Sequence, residues 1–412
     1  MTVKTRLVQK EASSGIENRA VPWIVFLFSI GIVLISFISV MFPALILASD
    51  TFRIPGVEPV TPDPFETGVW SGGVIVSSVI IFSLALLHHK KKIKPLSALF
   101  EKIFSFEISR KISLIILVIL LVIYISASAG ELSVEENFGD YVGVKKRLDT
   151  WSLDTITSFE PHVRYFLLSS SMDIFGNYKV FPFLASIALL IVTYLITTVI
   201  TQKRFAGIVA TIILLQSSVF LTYDITVSYT NFWILFYLVS LYMVYRFWPL
   251  SPVAYLLSIP SKALTAAFLP MSIYFILRSN ISRKKKIIIS GITAGIILAG
   301  GIAATTNFSA TLGTEEKFDA KDFQMGFTSF SYQLRSDGLL MLFMIPLMVG
   351  LFIVSRNGIK HGESMMVFIA GMLLIAPILT GFTTNTNQPY RFVPLVVFFA
   401  IGVGVLLSRR QV

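Results

Sequence analysis

Asp140 stands in the run Asn137-Phe138-Gly139-Asp140-Tyr141, and Pro161-His162 follows 22 residues later. A carboxylate on a wet membrane face can act as a general base towards a hydroxyl. Glu131, Glu135 and Glu136 lie close by and could take the same part. The simpler reading makes all four solvated loop acids. His162 taken alone is more often a structural side chain than a catalytic one.

Phosphate chemistry needs cations, and three positions offer them. Arg391, in Asn387-Gln388-Pro389-Tyr390-Arg391-Phe392, can grip a phosphate through two parallel hydrogen bonds. It can equally anchor a helix end at the interface beside Tyr390. Lys262 interrupts an apolar stretch at Pro260-Ser261-Lys262. An ammonium there needs water, an acid or an anion, unless it snorkels to the surface. Arg164 and Tyr165 belong to the amphipathic run from Glu160 to Asn177, whose spacing predicts a helix lying in the interface or capping the bundle. Asp224, beside Tyr223 at the end of another apolar run, either joins an acidic site or caps that run. Zinc, haem, Walker and dinucleotide patterns are absent, and there is no cysteine. No metal or other cofactor is expected, although an acidic loop could bind a divalent ion.

The elements that must position these residues are membrane helices. The 412 residues are 55% hydrophobic and 14% charged, against roughly 25% charged in soluble domains. Apolar runs of about 20 residues recur, each long enough to cross a ~30 Å hydrocarbon layer. The expected fold is an all-α polytopic membrane protein with about 10–12 membrane segments. The spans are 22–47, 69–87, 112–127, 180–200, 205–221, 231–247, 287–303, 339–354, 365–379 and 392–407. Between Pro249 and Arg278, the break at Pro260-Ser261-Lys262 predicts a hairpin of two short helices.

Lys and Arg set the orientation. With the N-terminus inside, alternation puts Lys90-Lys91-Lys92, Lys203-Arg204, Arg246, Arg283-Lys284-Lys285-Lys286, Arg356 and Arg409-Arg410 inside. Only a hairpin at 249–278 lets one assignment satisfy them all. Of the 23 acids, 18 then fall outside. The net charge of +11 is thus a positive-inside signature, suited to anionic lipid headgroups, and nucleic acid is not an expected partner. Chemistry must come from the outer loops, chiefly 130–179 and 305–337.

In order and spacing these features resemble the GT-C glycosyltransferases that use polyprenyl-phosphate sugars, especially the protein-mannosyltransferase-like branch. The matching elements are the span 112–127, Asp140-Tyr141, Pro161-His162 with Tyr165-Phe166-Leu167-Leu168, Phe175-Gly176-Asn177, Ser261-Lys262-Ala263-Leu264 and Tyr390-Arg391-Phe392. The resemblance covers roughly residues 111–278 and 388–407. Residues 1–110 then form a two-span N-terminal extension to a GT-C-like catalytic module over 111–412. Asp140-Tyr141 replaces the family's Asp-Glu pair, and Tyr223-Asp224-Ile225 replaces its Glu-Ala-Arg-like element.

The resemblance implies an inverting enzyme on the extracytoplasmic face, with both termini cytoplasmic. It would move one sugar from a polyprenyl (dolichyl-type) monophosphate to an acceptor hydroxyl on a protein or glycolipid. Asp140 would be the base. Arg391, Lys262 and Arg164 would hold the donor phosphate, and His162, Tyr165, Asp224 and Tyr390 would line the pocket. Membrane lipid and the lipid-linked donor are the implied partners. A transporter or flippase of a lipid-linked or polar solute would instead need charges deep in several spans and internal symmetry. A non-catalytic membrane relative would show a collapsed pocket with Asp140 far from Arg391.

Overall fold

The computed structural model describes residues 20–42, 45, 63–152, 161–308, 318–334, 336–382 and 389–408. The N-terminal basic residues, most of the proline-rich 49–68 segment, Glu160, Asn387-Gln388 and Arg409-Arg410 lie outside them. The chain is an all-α, multi-pass membrane protein. Among the described residues there is no strand, and six helices are long and apolar enough to cross a membrane.

Helix α1 is Ala20–Met41 and α2 is Ser71–His89. A short amphipathic helix, α3 (Lys94–Ser105), leads into α4 (Arg110–Ser128), whose first turn is capped by the Ser109 hydroxyl accepting from Ile112 N–H. Then come α5 (Tyr141–Thr150) and α6 (His162–Phe175). Gly176 closes α6 at φ 67°, a left-handed stop that favours glycine. The bundle continues with α7 (Val180–Thr201), α8 (Arg204–Leu215), α9 (Ser218–Tyr223) and α10 (Phe232–Arg246). The apolar run 205–221 is thus two helices. Ser217 breaks it, capping α9 through Phe220 N–H and donating to Asp337, which itself caps α15 (Gly338–Arg356).

The expected hairpin is present. Helix α11 (Leu250–Ser258) leads to a turn, a 3-10 segment (Ala263–Phe268) and α12 (Leu269–Arg278). Its tip is fastened internally: the Thr265 hydroxyl donates to Ser258 O at 2.8 Å, and Tyr255 Oη donates to Thr265 O at 2.8 Å. Helices α13 (Arg283–Phe308), α14 (Ala320–Leu334), α15, α16 (His361–Thr380) and α17 (Val393–Leu406) complete the order. Segment 305–337, read from sequence as a loop, holds α14, which packs on α16. A Cβ at Gly326 would stand 2.7 Å from Pro377 Cα, so only glycine permits this approach.

Helix α17 is the axis of the core. It is apolar on every side and nearly all buried, the pattern of a helix surrounded by others. Phe398 stacks on Phe368 of α16 with centroids 4.1 Å apart. Val33 and Phe37 of α1 are buried in the same core, so α1 shares the core with the rest. Helices α2 and α4 leave most of their apolar surface uncovered.

Two ends of the bundle can be told apart by their bonds. At one, Arg278 pairs with Glu363 at 2.6 Å, Tyr245 Oη meets His361 Nε2 at 3.0 Å, Arg204 N–H donates to Glu107 at 3.1 Å, and Lys203 Nζ donates to Phe104 O. At the other, residues 130–140 meet 179 and 227–229, and Val163 N–H donates to Pro260 O at 3.2 Å. The first end holds Lys203, Arg204 and Arg278, and the second holds the acidic stretch 130–140.

Candidate functional site

At the acidic-loop end a cavity of about 360 Å³ opens between four chain segments. The start of α6 supplies His162 and Arg164, and the connection before α10 supplies Ser228 and Tyr229. The hairpin tip supplies Pro260 and Lys262, and the turn before α17 supplies Tyr390. Trp233, on the first turn of α10, adds an apolar wall. Four of the residues singled out from sequence therefore line one space: His162, Arg164, Lys262 and Tyr390.

The Lys262 ammonium lies 3.7 Å from the Tyr390 ring centroid and 4.9 Å from that of Trp233. Such contacts favour a cation where water is scarce. Tyr390 also stacks on Tyr229, with centroids 4.1 Å apart and planes 13° from parallel. Phe138 and Tyr223 pack edge- or face-on around the same pair. The result is an aromatic cluster that forms one side of the cavity.

Arg164 has two tasks. Its Nη2 donates to Val227 O at 2.9 Å and to Ser228 O at 2.6 Å. Its Nε–H finds no hydrogen-bond partner among the described residues. Glu136 grips the same strap from the other side, accepting from Val227 N–H, from Ser228 N–H at 3.1 Å and from the Ser228 hydroxyl at 2.8 Å. The strap's donors and acceptors are thus satisfied by one acid and one base. Glu136 is a clamp, which separates it from Asp140.

Asp140 is exposed, at the start of α5, and its carboxylate accepts from Tyr229 Oη at 2.8 Å. It stands one residue behind the cavity wall. Glu135 pairs with Lys145 at 3.3 Å on the surface. Glu131 is exposed, and its backbone carbonyl accepts from Lys179 Nζ at 2.9 Å. Arg391 lies just behind Tyr390, its Nε 3.5 Å from the Tyr390 hydroxyl.

Two expected pocket residues fall elsewhere. Tyr165 is on another face of α6, buried with Val144, Leu148 and Leu168. One helical position from Arg164 turns its side chain by about 100°, away from the cavity. Asp224 is also buried, in the connection between α9 and α10, accepting from the Ser128 hydroxyl at 3.3 Å. Burial pushes its carboxyl up to about 7, and Glu131 adds to the rise. Neither lines the cavity. Tyr229 and Trp233, which do, were not singled out from sequence. The polar interruption Thr230-Asn231 between two apolar runs is the only signal that marks their neighbourhood.

Burial lowers the Lys262 ammonium to about 8; Tyr390 opposes this, while Arg391 and Arg164 press the same way. Lys262 sits at the hairpin tip, outside the spanning helices. Among the described residues no acid lines the cavity, and no three His, Asp or Glu side chains converge as a metal site. Two cations, Lys262 and Arg164, line this part-apolar space; Arg391 stands behind Tyr390, and the Asp140 carboxylate is bonded to the wall residue Tyr229, an arrangement whose charge suits an anion. No known family model, curated protein or solved structure matches this chain.

Proposed function

We propose that this chain is a membrane glycosyltransferase of the GT-C type, using a polyprenyl monophosphate sugar as donor. The observation that carries the reading is the meeting of Lys262, Arg164 and Tyr390 in one cavity, with Asp140 bonded to the wall residue Tyr229. Residues distant in sequence, each with a part in such a transfer, share one place.

In the proposed reaction Asp140 takes the proton of the acceptor hydroxyl. The hydroxyl oxygen bonds to the sugar's anomeric carbon as the carbon–oxygen bond to phosphate breaks, with inversion. The lipid phosphate leaves as an anion beside Lys262, and the Arg391 and Arg164 charges lower the energy of that state. Tyr229 holds the Asp140 carboxylate in position. Tyr390 and Trp233 flank the ammonium and limit its contact with water. Exposed Phe166, Ile174 and Phe175 on α6 suit a helix resting on acyl chains, so the lipid tail can run beside it.

The same reading places the cavity on the extracytoplasmic face and both termini in the cytoplasm, following the basic clusters. A direct assay uses purified protein and a polyprenyl-phosphate sugar labelled in the sugar. Time-dependent release of the sugar to an added acceptor or to water is expected. No release with intact, folded protein across several sugar donors would sink the reading. Cysteine-accessibility labelling of added Cys residues at 140 and 204 tests the orientation separately.

A further inference from the structure

A second cavity, of about 870 Å³, lies at the other end of the bundle, between α4, α7, α8 and α10. Three arginines face it: Arg110 from the first turn of α4, Arg204 from the first turn of α8, and Arg246 from the last turn of α10. One acid, Glu107, shares the space. Its Oε1 is already engaged, accepting from Ile108 N–H and Arg204 N–H, both at 3.1 Å. Among the described residues the only ion pairs are Lys145–Glu135 and Arg278–Glu363. Among the described residues none of the three arginines forms an ion pair, and Glu107, whose Oε2 has no hydrogen-bond partner, leaves the groove with a net positive charge.

The other wall is apolar. Leu114, Leu195 and Val199 line it. Leu114 continues directly into the uncovered stripe of α4, where Ile115, Val118, Ile119 and Val122 are exposed. The groove therefore has a cationic end and an apolar end that runs onto a lipid-facing helix. A free anion would use only the first. An amphiphile would use both.

We propose that this groove binds the phosphate headgroup of an anionic membrane lipid, with an acyl chain lying along α4. The three guanidinium groups come from helices far apart in sequence, so a bound phosphate would bridge α4, α8 and α10. Basic pockets between membrane helices are suited to such headgroups, and guanidinium groups match phosphate oxygens in pairs. The site is separate from the cavity at the acidic-loop end and does not depend on what that cavity does.

The test is lipid binding to the full-length protein in detergent, with phosphatidylglycerol, phosphatidylcholine and inorganic phosphate as separate probes. Wild-type protein should prefer phosphatidylglycerol to phosphatidylcholine by about tenfold or more, each basic contact being worth roughly fivefold. Millimolar inorganic phosphate should compete weakly. Arg110 and Arg246 are exposed, so the double variant Arg110→Gln/Arg246→Gln keeps the packed core, and its preference should fall to within about twofold. A variant with Lys90, Lys91 and Lys92 changed to Gln should keep the preference, because those charges lie outside the groove. Equal loss in both variants would mean diffuse surface attraction and would overturn the site. Stabilisation by inorganic phosphate as strong as by the lipid would overturn the lipid assignment.

Discussion

The Lys262 ammonium stands 3.7 Å above the ring of Tyr390, though the two come from a hairpin tip and from the entry to the last helix. The sequence resemblance assigns Lys262 to the donor phosphate and Tyr390 to the pocket, without a contact between them. Together they form the cationic corner of the cavity. If the corner holds the donor phosphate, Lys262→Ala should lower kcat/KM for sugar release by about 100-fold or more. Lys262→Arg should recover part of it. Initial rates at saturating and limiting donor separate the two parameters.

Asp140→Asn should lower kcat by about 10²–10⁴-fold and leave the donor KM within about twofold. Tyr229→Phe removes only the hydrogen bond that orients the carboxylate, so its loss should be smaller. Equal losses at Asp140 and at the surface acid Glu135 would argue against the assignment of the base.

Donor binding should weaken as pH rises. The protonated form of Lys262 is the form that attracts phosphate, and burial sets its titration near 8. Above that value the dissociation constant should rise by up to tenfold per pH unit. A bound anion itself favours the ammonium, so the fall in kcat should come at higher pH than the fall in kcat/KM. In Lys262→Arg both should move beyond the accessible range.

Asp224 makes a prediction about stability. Its folded carboxyl titrates near 7, above its ordinary value of 3.8. The folded state therefore keeps a proton that the unfolded state has lost. The stability this provides is complete below about 4 and is lost as pH rises through about 7. Asp224→Asn should leave the melting midpoint nearly unchanged at pH 4.5. At pH 8.5 it should stabilise by about 1–3 kcal/mol, read from thermal unfolding in detergent.

Gly326→Val tests the docking of α14. The new Cβ would meet Pro377 backbone, which cannot move aside cheaply. A cost of about 1–3 kcal/mol is expected from overpacking. Gly72, where a Cβ meets nothing within 4 Å, is the control. Equal melting of the two variants would mean that α14 does not pack there.

Much of this was legible from sequence where a local cause decides the outcome. The hairpin followed from Pro260-Ser261-Lys262 and from charge alternation. The α6 helix followed from apolar spacing, and its Gly176 stop confirms the boundary. Helix α14 was not legible, because its partner is α16 and its Gly326 reads as a loop residue until Pro377 is beside it. Glu136 and Asp140 could not be separated by spacing either. Their roles differ only through the 227–229 strap, which tertiary contacts bring to them. Tyr165 and Arg164 are adjacent in sequence, and only the packing of Val144 and Leu168 decides which of the two turns inward.

The cavity takes its walls from four segments, 161–164, 228–233, 259–263 and 390. The hairpin enters and leaves from the opposite end, so among the described residues its tip is tied to the other three by side chains and by the Val163–Pro260 backbone bond. A ligand touching all four works as a latch. At a hundred times its Kd it would add about 2.7 kcal/mol to the work of withdrawing the hairpin, and emptying the site would return that freedom to the tip.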